Sequence, residues 1–257
     1  MGLPEDRIPL DRAALLISAA ARPDLDVDAQ LRRLDGLAER VSGDSVSAVS
    51  ELLFVTEELE GDTSSYDDPL NSYLDQVLER RRGIPITLSV VLMEVARRRG
   101  VQLEAVGMPG HFLVRDPSDP DHLIDCFSGG RRLTRGECEG LLKAMAGPDA
   151  ALTDAMLSTT GPLAILTRML ANLDGSFARR EDRKSMAWVC DLRLALPAGV
   201  DVMAQLQERV QLVERLVWLG AYDRAGALLE HLAGRTDDER LADSLLGRAQ
   251  ELQARLN

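Results

Sequence analysis

His111 and Asp125 are the two residues whose types and surroundings could support acid–base chemistry. His111 follows a Pro-Gly turn and opens the segment "HFLVRD" (111–116), while Asp125 lies in the segment "HLIDCF" (122–127). Both segments are short and rich in Val, Leu, Ile and Phe, which predicts two neighbouring β-strands. If the strands pair, the Asp125 carboxylate can reach the His111 imidazole, fix its tautomer and raise its basicity. The same two side chains could instead form a hydrogen-bonded pair that only stabilises the fold.

Helices and one small sheet must position these two residues. A third short apolar segment, 101–108, completes a predicted antiparallel sheet, and a long apolar helix, "GIPITLSVVLMEVARRRG" (83–100), precedes it. Thr134 is the expected N-cap of a helix that ends near residue 146. Apolar residues at helical spacing predict further helices in the N-terminal part, over residues 9–21, 28–41, 46–59 and about 71–81.

Beyond residue 160 the apolar spacing is helical throughout, and the helices come in pairs. The turn "WLGAYDRAGALLEHL" sets Gly220 and Tyr222 before Ala225, which is typical of the small-residue and aromatic spacing in tetratricopeptide helix pairs. Helices that follow a helix-plus-sheet section predict an α+β protein with a separate all-α C-terminal domain.

The composition bounds the class of protein. The chain has 257 residues, of which 45% are hydrophobic and 28% charged, as in soluble globular proteins. No apolar run approaches about 18 residues, and the start "MGLPEDRIPLDRAALL" has acids where a signal peptide has basic residues. We therefore expect a cytoplasmic protein that does not enter a membrane.

The net charge and the spacing of potential metal ligands limit the classes of ligand and partner that the protein is expected to bind. The net charge is −12, and residues 1–78 alone hold 17 Asp+Glu against 6 Lys+Arg, which disfavours binding to nucleic acid. The three cysteines have no CxxC spacing, so the sequence predicts neither a disulfide framework nor a structural zinc site. His122 and His231 show no metal-ligand spacing either, and we expect no metal and no cofactor. The sequence does not determine the oligomeric state.

Three motifs carry a resemblance to a known family. The segments "NSYLDQVLERRRGIPITLSVVLMEVARRRG", "VGMPGHFLVR" and "DCFSGGRRLT" resemble, in this order, the SirB family of transglutaminase-like proteins, over about residues 50–257. The resemblance implies a papain-like transglutaminase core with helical N-terminal additions over residues 1–157. It also implies a tetratricopeptide-like domain over residues 158–257.

The same resemblance implies that the nucleophile is missing. Transglutaminase-like enzymes carry Gly-x-Cys at the start of the long helix, and counting back from Gly100 places that cysteine at Pro85, within Gly83-Ile84-Pro85. His111 and Asp125 match the family's catalytic His and Asp. Proline suits a first helical turn, but it supplies no thiol for acyl transfer.

Five other residues are weaker nucleophile candidates or are excluded. Ser89 lies one helical turn beyond Pro85 and shares its face, and Thr87 lies between them. Hydroxyls inside a helix commonly bond back to preceding carbonyls instead. Cys126 adjoins Asp125 and must point to the opposite face of its strand, and Cys138 and Cys190 are expected to be small buried hydrophobes.

The leading hypothesis is a non-catalytic or catalytically altered member of this family that binds a protein or peptide partner. Its cleft would be a recognition groove, and its helical repeats would offer a second surface. The alternative is an amide-bond hydrolase or acyltransferase in which His111 and Asp125 activate a hydroxyl or a water. A third possibility is an assembly scaffold in which even the cleft is vestigial.

Overall fold

Helix α5 (Pro85–Arg98) is the most deeply buried element of the N-terminal part of the molecule. The structure is a computed structural model that describes residues 7–197 and 202–255. The chain divides into two compact units, one ending at Ser176 and the other beginning at Phe177. The division falls within helix α7 (Pro162–Arg179), whereas the expected domain boundary after residue 157 stays a prediction.

Helices surround α5 in the first unit. Its buried residues include Leu88, Val91, Leu92 and Val95, which are shielded from solvent completely. Burial of such side chains contributes roughly 1.5–3 kcal/mol each. The other α-helices of this unit include α1 (Leu10–Ala21), α2 (Val27–Glu39), α3 (Val46–Ser50), α4 (Leu74–Arg80), α6 (Arg135–Ala146) and most of α7. Thr134 caps α6 as expected, because its side chain accepts a hydrogen bond from the Glu137 N–H.

Two predicted helices differ in detail from the observed ones. The helix expected over 46–59 is α-helical only through α3 and then continues as a π-helix over Glu51–Thr56. The helix expected over about 71–81 is a 3₁₀ turn, Pro69–Ser72, followed by α4. Arg81 ends α4 in the left-handed conformation, with φ 60°.

Two sheets complete the first unit. The main sheet has the order β3-β4-β5-β6, with all neighbours antiparallel: β3 (Glu104–Val106), β4 (Leu113–Arg115), β5 (His122–Asp125) and β6 (Arg131–Thr134). The first three strands were predicted, and β6 was not. A short parallel pair, β1 (Glu60–Gly61) and β2 (Arg82–Gly83), was also not predicted and joins the chain before α4 to the start of α5.

The described residues of the second unit form helices joined by turns. They include α8 (Arg183–Ala195), α9 (Val202–Leu219), α10 (Tyr222–Ala233) and α11 (Glu239–Ala254). Leu212, Leu216, Ala225 and Leu229 lie in its buried core, as the helical spacing predicted. None of the helices in the described ranges is long and apolar enough to cross a membrane.

The turn between α9 and α10 requires glycine. Gly220 has φ +80°, a left-handed conformation that side chains with a branched Cβ rarely adopt. A Cβ added there would meet only the Arg183 guanidinium, at 3.9 Å, so the constraint is the backbone angle rather than crowding.

Gly220→Val is therefore expected to lower the free energy of unfolding by roughly 1–3 kcal/mol. Gly247, on the exposed side of α11 with no atom near its virtual Cβ, provides the matched control, because Gly247→Val meets no such strain. Thermal or urea unfolding of both variants measures the difference. Equal midpoints for the two variants would contradict the assigned turn.

Candidate functional site

Nearby backbone groups and the Thr87 hydroxyl form the hydrogen bonds at the start of α5. Pro85 is the first helical residue and is buried, and Ile84 is extended before it, with φ −91° and ψ 165°. The Ile84 N–H donates to Thr87 Oγ1 at 3.2 Å and lies 3.4 Å from the Asn71 carbonyl oxygen. A proline loses no hydrogen bond in a first helical turn, so the local structure does not need a cysteine there.

Thr87 is a structural residue of this helix start. Its hydroxyl is fully buried, 2.8 Å from the Asn71 carbonyl oxygen and 3.0 Å from that of Ile84, and it accepts the Ile84 N–H. Both the proton and a lone pair of Oγ1 are thus engaged with backbone groups. A hydroxyl held in this way has no proton left to give to a base.

Ser89 lies against the core side of the sheet. It is fully buried, and its hydroxyl makes no hydrogen bond of standard geometry within the described residues. The neighbouring thiol of Cys126 is also fully buried. Burial raises the pKa of Cys126 to about 12, with the Ser89 hydroxyl lowering it slightly and the Asp125 charge raising it. A thiol with such a pKa is almost wholly protonated near pH 7 and is a poor nucleophile.

His111 and Asp125 are close, but loosely paired. His111 was expected to open a strand, yet β4 begins two residues later, at Leu113, because the His111 N–H closes a turn onto the Met108 carbonyl at 3.0 Å. His111 Nε2 lies 3.8 Å from Asp125 Oδ2, beyond hydrogen-bond distance. The imidazole side chain is 23% exposed and the carboxylate is buried.

Asp125 takes its hydrogen bonds from its own turn. Oδ1 accepts the N–H groups of Phe127 at 3.0 Å and Ser128 at 3.3 Å, and Oδ2 accepts the Ser128 hydroxyl at 2.7 Å. These bonds satisfy the buried carboxylate without the imidazole. Asp125 therefore stabilises its turn directly and orients His111 only through the longer ion-pair contact.

Glycines bring the helix start close to the Asp125 turn. Gly61 of β1 pairs with Gly83 of β2, immediately before α5. A Cβ added at Gly61 would lie 2.5 Å from the Phe127 ring and 2.6 Å from the Phe127 carbonyl oxygen. Phe127 therefore packs on the backbone of β1. Sequence reasoning missed this contact, because two-residue strands leave no periodic pattern.

Arg168 and Tyr66 are two further residues that sequence reasoning missed. Arg168 Nη2 donates to the His111 carbonyl oxygen at 2.8 Å, and the guanidinium carbon lies 5.4 Å from the centroid of the buried Phe112 ring. Tyr66 meets the Phe127 ring edge to face, with centroids 5.8 Å apart. Burial lowers the pKa of Arg168, and the neighbouring Tyr66 opposes that shift.

Five residues around this point are called the His111 surface below. They are two partly exposed polar residues and three apolar or aromatic neighbours: His111, Arg168, Tyr66, Phe127 and Met145. Met145 covers Gly110, since a Cβ at that glycine would collide with the Met145 sulfur. The surface offers a base, a cation and apolar walls.

The remaining candidate residues lie elsewhere. His122 pairs with Asp119, with Nδ1 and Oδ1 3.0 Å apart, and His231 lies in the last turn of α10. Cys138 and Cys190 are buried, as expected. Among the residues that the structure describes, no cluster of His, Cys, Asp and Glu could hold a metal ion.

The two hydroxyls of α5 should differ sharply in their effect on stability. Thr87→Val removes the buried hydrogen bonds to Asn71 and Ile84 and is expected to lower the free energy of unfolding by about 1–3 kcal/mol. Ser89→Ala is the matched control and is expected to change it by less than about 0.5 kcal/mol, because Ser89 makes no standard hydrogen bond. Urea unfolding compares them. A larger cost for Ser89→Ala than for Thr87→Val would overturn these roles.

Cys126 is expected to react very slowly with iodoacetamide in the native protein at pH 7. Burial and a pKa of about 12 leave almost no thiolate to attack the reagent. Mass spectrometry of peptides after timed labelling measures the rate, and the urea-unfolded protein supplies the control rate for an accessible thiol. Labelling of native Cys126 faster than in the unfolded chain would mean that the residue is an activated nucleophile.

Bacterial relatives match well over half of the chain. A UPF0162 protein of Xylella fastidiosa is 36% identical over 203 residues, which are 74% of this chain and 72% of that protein. A UPF0162 protein of Pseudomonas aeruginosa is 36% identical over 172 residues, covering 64% of this chain and 63% of that protein, slightly less than two thirds of it.

A shorter match involves a mammalian protein. F-box only protein 21 of Mus musculus is 36% identical over 138 residues, which are 50% of this chain but 21% of that protein. No solved structure matches the chain. The transglutaminase-like superfamily profile matches residues 12–171, more than half of the chain. The chain therefore belongs to the transglutaminase-like superfamily, with UPF0162 proteins among its relatives.

Proposed function

We propose that this protein is a transglutaminase-like module of the SirB type that has lost acyl-transfer catalysis and acts in the cytoplasm by binding a protein or peptide. One observation carries the proposal: Pro85 stands where the family resemblance puts the nucleophilic cysteine. The environments of Thr87, Ser89 and Cys126 support it, since each is buried and neither hydroxyl nor thiol is activated. A base without a nucleophile cannot form an acyl-enzyme.

The His111 surface is the proposed recognition site. Tyr66 is 48% exposed and packs on Phe127, and Met145 is 54% exposed and covers Gly110, the residue before His111. Tyrosine and arginine are enriched among the residues that contribute most to binding at protein interfaces, and methionine adapts its shape to different partners. An extended peptide could contact the aromatic rings while its polar groups reach His111 and Arg168.

The comparisons support use of this domain as a module. The stretch of F-box only protein 21 that matches this chain is about a fifth of that protein, so the domain also occurs as one part of a much longer chain. In the present protein, the helical second unit follows it. We assign tetratricopeptide-like repeats to this unit from the spacing of Gly220, Tyr222 and Ala225, and we propose that it offers a second binding surface.

An amide-bond hydrolase or acyltransferase is the second candidate function. It is favoured by one observation, the partly exposed His111 imidazole 3.8 Å from the Asp125 carboxylate. With water as the nucleophile, His111 would take the proton and Asp125 would stabilise the imidazolium. General-base catalysis of this kind supplies roughly 10² to 10⁴ in rate.

Substitution of His111 separates the two functions. We expect no turnover of a peptide and amide substrate panel by the wild type, and we expect His111→Gln and His111→Ala to lower stability by less than about 1 kcal/mol. Asp125 keeps its three turn hydrogen bonds in both variants, so no buried charge is left unpaired.

Thermal unfolding and turnover are measured together, with His122→Gln as the control histidine substitution. Activity in the wild type that both His111 variants lose at unchanged stability, and that His122→Gln retains, would establish the hydrolase and overturn the binding-module proposal.

A further inference from the structure

Among the residues that the structure describes, no carboxylate makes a hydrogen bond or ion pair with Arg168. Within the described residues its hydrogen-bond partners are backbone carbonyls alone: Met108 at 3.4 and 3.5 Å, and His111 at 2.8 Å. The pKa of Arg168 is lowered by burial, and the one charge-related neighbour that opposes this is Tyr66. Most other arginines near α5 contact an acid, as Arg98 does with Asp11.

Arg168 also has donors to spare. A guanidinium carries five N–H groups, and the three hydrogen bonds to Met108 and His111 leave one on Nε and one on Nη1 without an acceptor among the described residues. One side of the guanidinium lies over the buried Phe112 ring. The carbonyl contacts hold the guanidinium in place, so a ligand would meet a pre-positioned cation.

We infer that Arg168, with His111 and Tyr66, forms a binding site for a carboxylate of a peptide ligand. This inference rests on the proposed binding function and specifies its ligand. A carboxylate would accept the spare guanidinium N–H groups, a charge-assisted bond that is stronger than its neutral counterpart. Tyr66 acts electrostatically on Arg168, and the His111 carbonyl accepts one of the Arg168 N–H groups, so both residues belong to the surroundings of this guanidinium. Asp125, the acid closest to the His111 imidazole among the described contacts, already accepts three hydrogen bonds from its own turn.

Three matched peptides test the inference on the full chain. Acetyl-Ala-Ala-Glu-Ala-Ala-amide carries a side-chain carboxylate, the same peptide with Gln carries none, and acetyl-Ala-Ala-Gln-Ala-Ala with a free acid carries only a C-terminal carboxylate. Amide chemical shifts of His111, Phe112 and Tyr66 report binding in an NMR titration. We expect saturable shifts with at least one carboxylate peptide, and the responding arm identifies the source of the carboxylate.

Variants link the effect to the guanidinium. Arg168→Gln should weaken binding of the responding peptide by about tenfold or more, as loss of a hydrogen bond to a charged group does. Arg168→Lys keeps the charge without the planar fork and should weaken it less. Arg12→Gln, at an exposed arginine of α1 that pairs with Asp28, should leave it unchanged. If Arg168→Gln does not fold, the inference is decided by the Arg168→Lys variant and by the difference between the carboxylate and Gln peptides on the wild type.

Each other outcome overturns the carboxylate site. Equal shifts with the neutral Gln peptide would exclude a carboxylate site but leave the proposed peptide binding intact. The absence of a shift with all three peptides would also exclude the carboxylate site, but it would not affect the substrate-panel test of His111. If a folded Arg168→Gln variant still binds the responding peptide, a residue other than Arg168 binds the carboxylate.

Discussion

The close approach of Phe127 to Gly61 is the contact on which the geometry of this region depends. A methyl group at Gly61 would stand 2.6 Å from the Phe127 carbonyl oxygen, a backbone atom that cannot move aside like a side chain. Gly61 in turn pairs with Gly83, which leads into α5. Three segments that are distant in sequence therefore meet because a glycine backbone leaves room for them: β1, the start of α5 and the Asp125 turn.

The polar groups around this contact are used to build the fold. Buried Asp62 accepts hydrogen bonds from the Ser64 and Ser65 N–H groups, the Ser64 hydroxyl and the Asn71 amide. Burial opposes ionisation of this carboxylate, but these bonds outweigh it and lower the pKa of Asp62. Asn71 connects this turn to α5, because its carbonyl oxygen accepts a hydrogen bond from the Thr87 hydroxyl. A helix start stabilised in this way tolerates proline at its first position.

Local sequence patterns predicted most helices and strands, but they did not predict contacts between segments that are distant in sequence. The alternating apolar residues of β3, β4 and β5 were recognisable, whereas β6 has one buried apolar residue, Leu133, and exists because it pairs with β5. The proximity of His111 and Asp125 followed from neighbouring strands. The turn that satisfies Asp125 was not predicted, although an aspartate with a serine three residues later favours such a turn.

Arg168 could not be found by the same reasoning. It lies on a helix with an ordinary amphipathic pattern, and its role comes from a hydrogen bond to the carbonyl of His111, 57 residues earlier. The π-helical segment after α3 likewise has no mark in its sequence "ELLFVT". Both features arise from packing, so a single sequence without its structure does not reveal them.

We propose that Pro85 occupies the nucleophile position of the transglutaminase-like fold, and Pro85→Cys tests this proposal. The measurement is the pH dependence of iodoacetamide labelling of the introduced thiol, with Cys126 as the internal reference. The family resemblance puts position 85 beside the His111 imidazole. If it lies there, a thiol at this helix N-terminus should titrate below the usual value of about 8.5, react at neutral pH faster than Cys126, and slow down when combined with His111→Gln. A thiol at position 85 that is as unreactive as Cys126, or that ignores the His111 substitution, would contradict the claim.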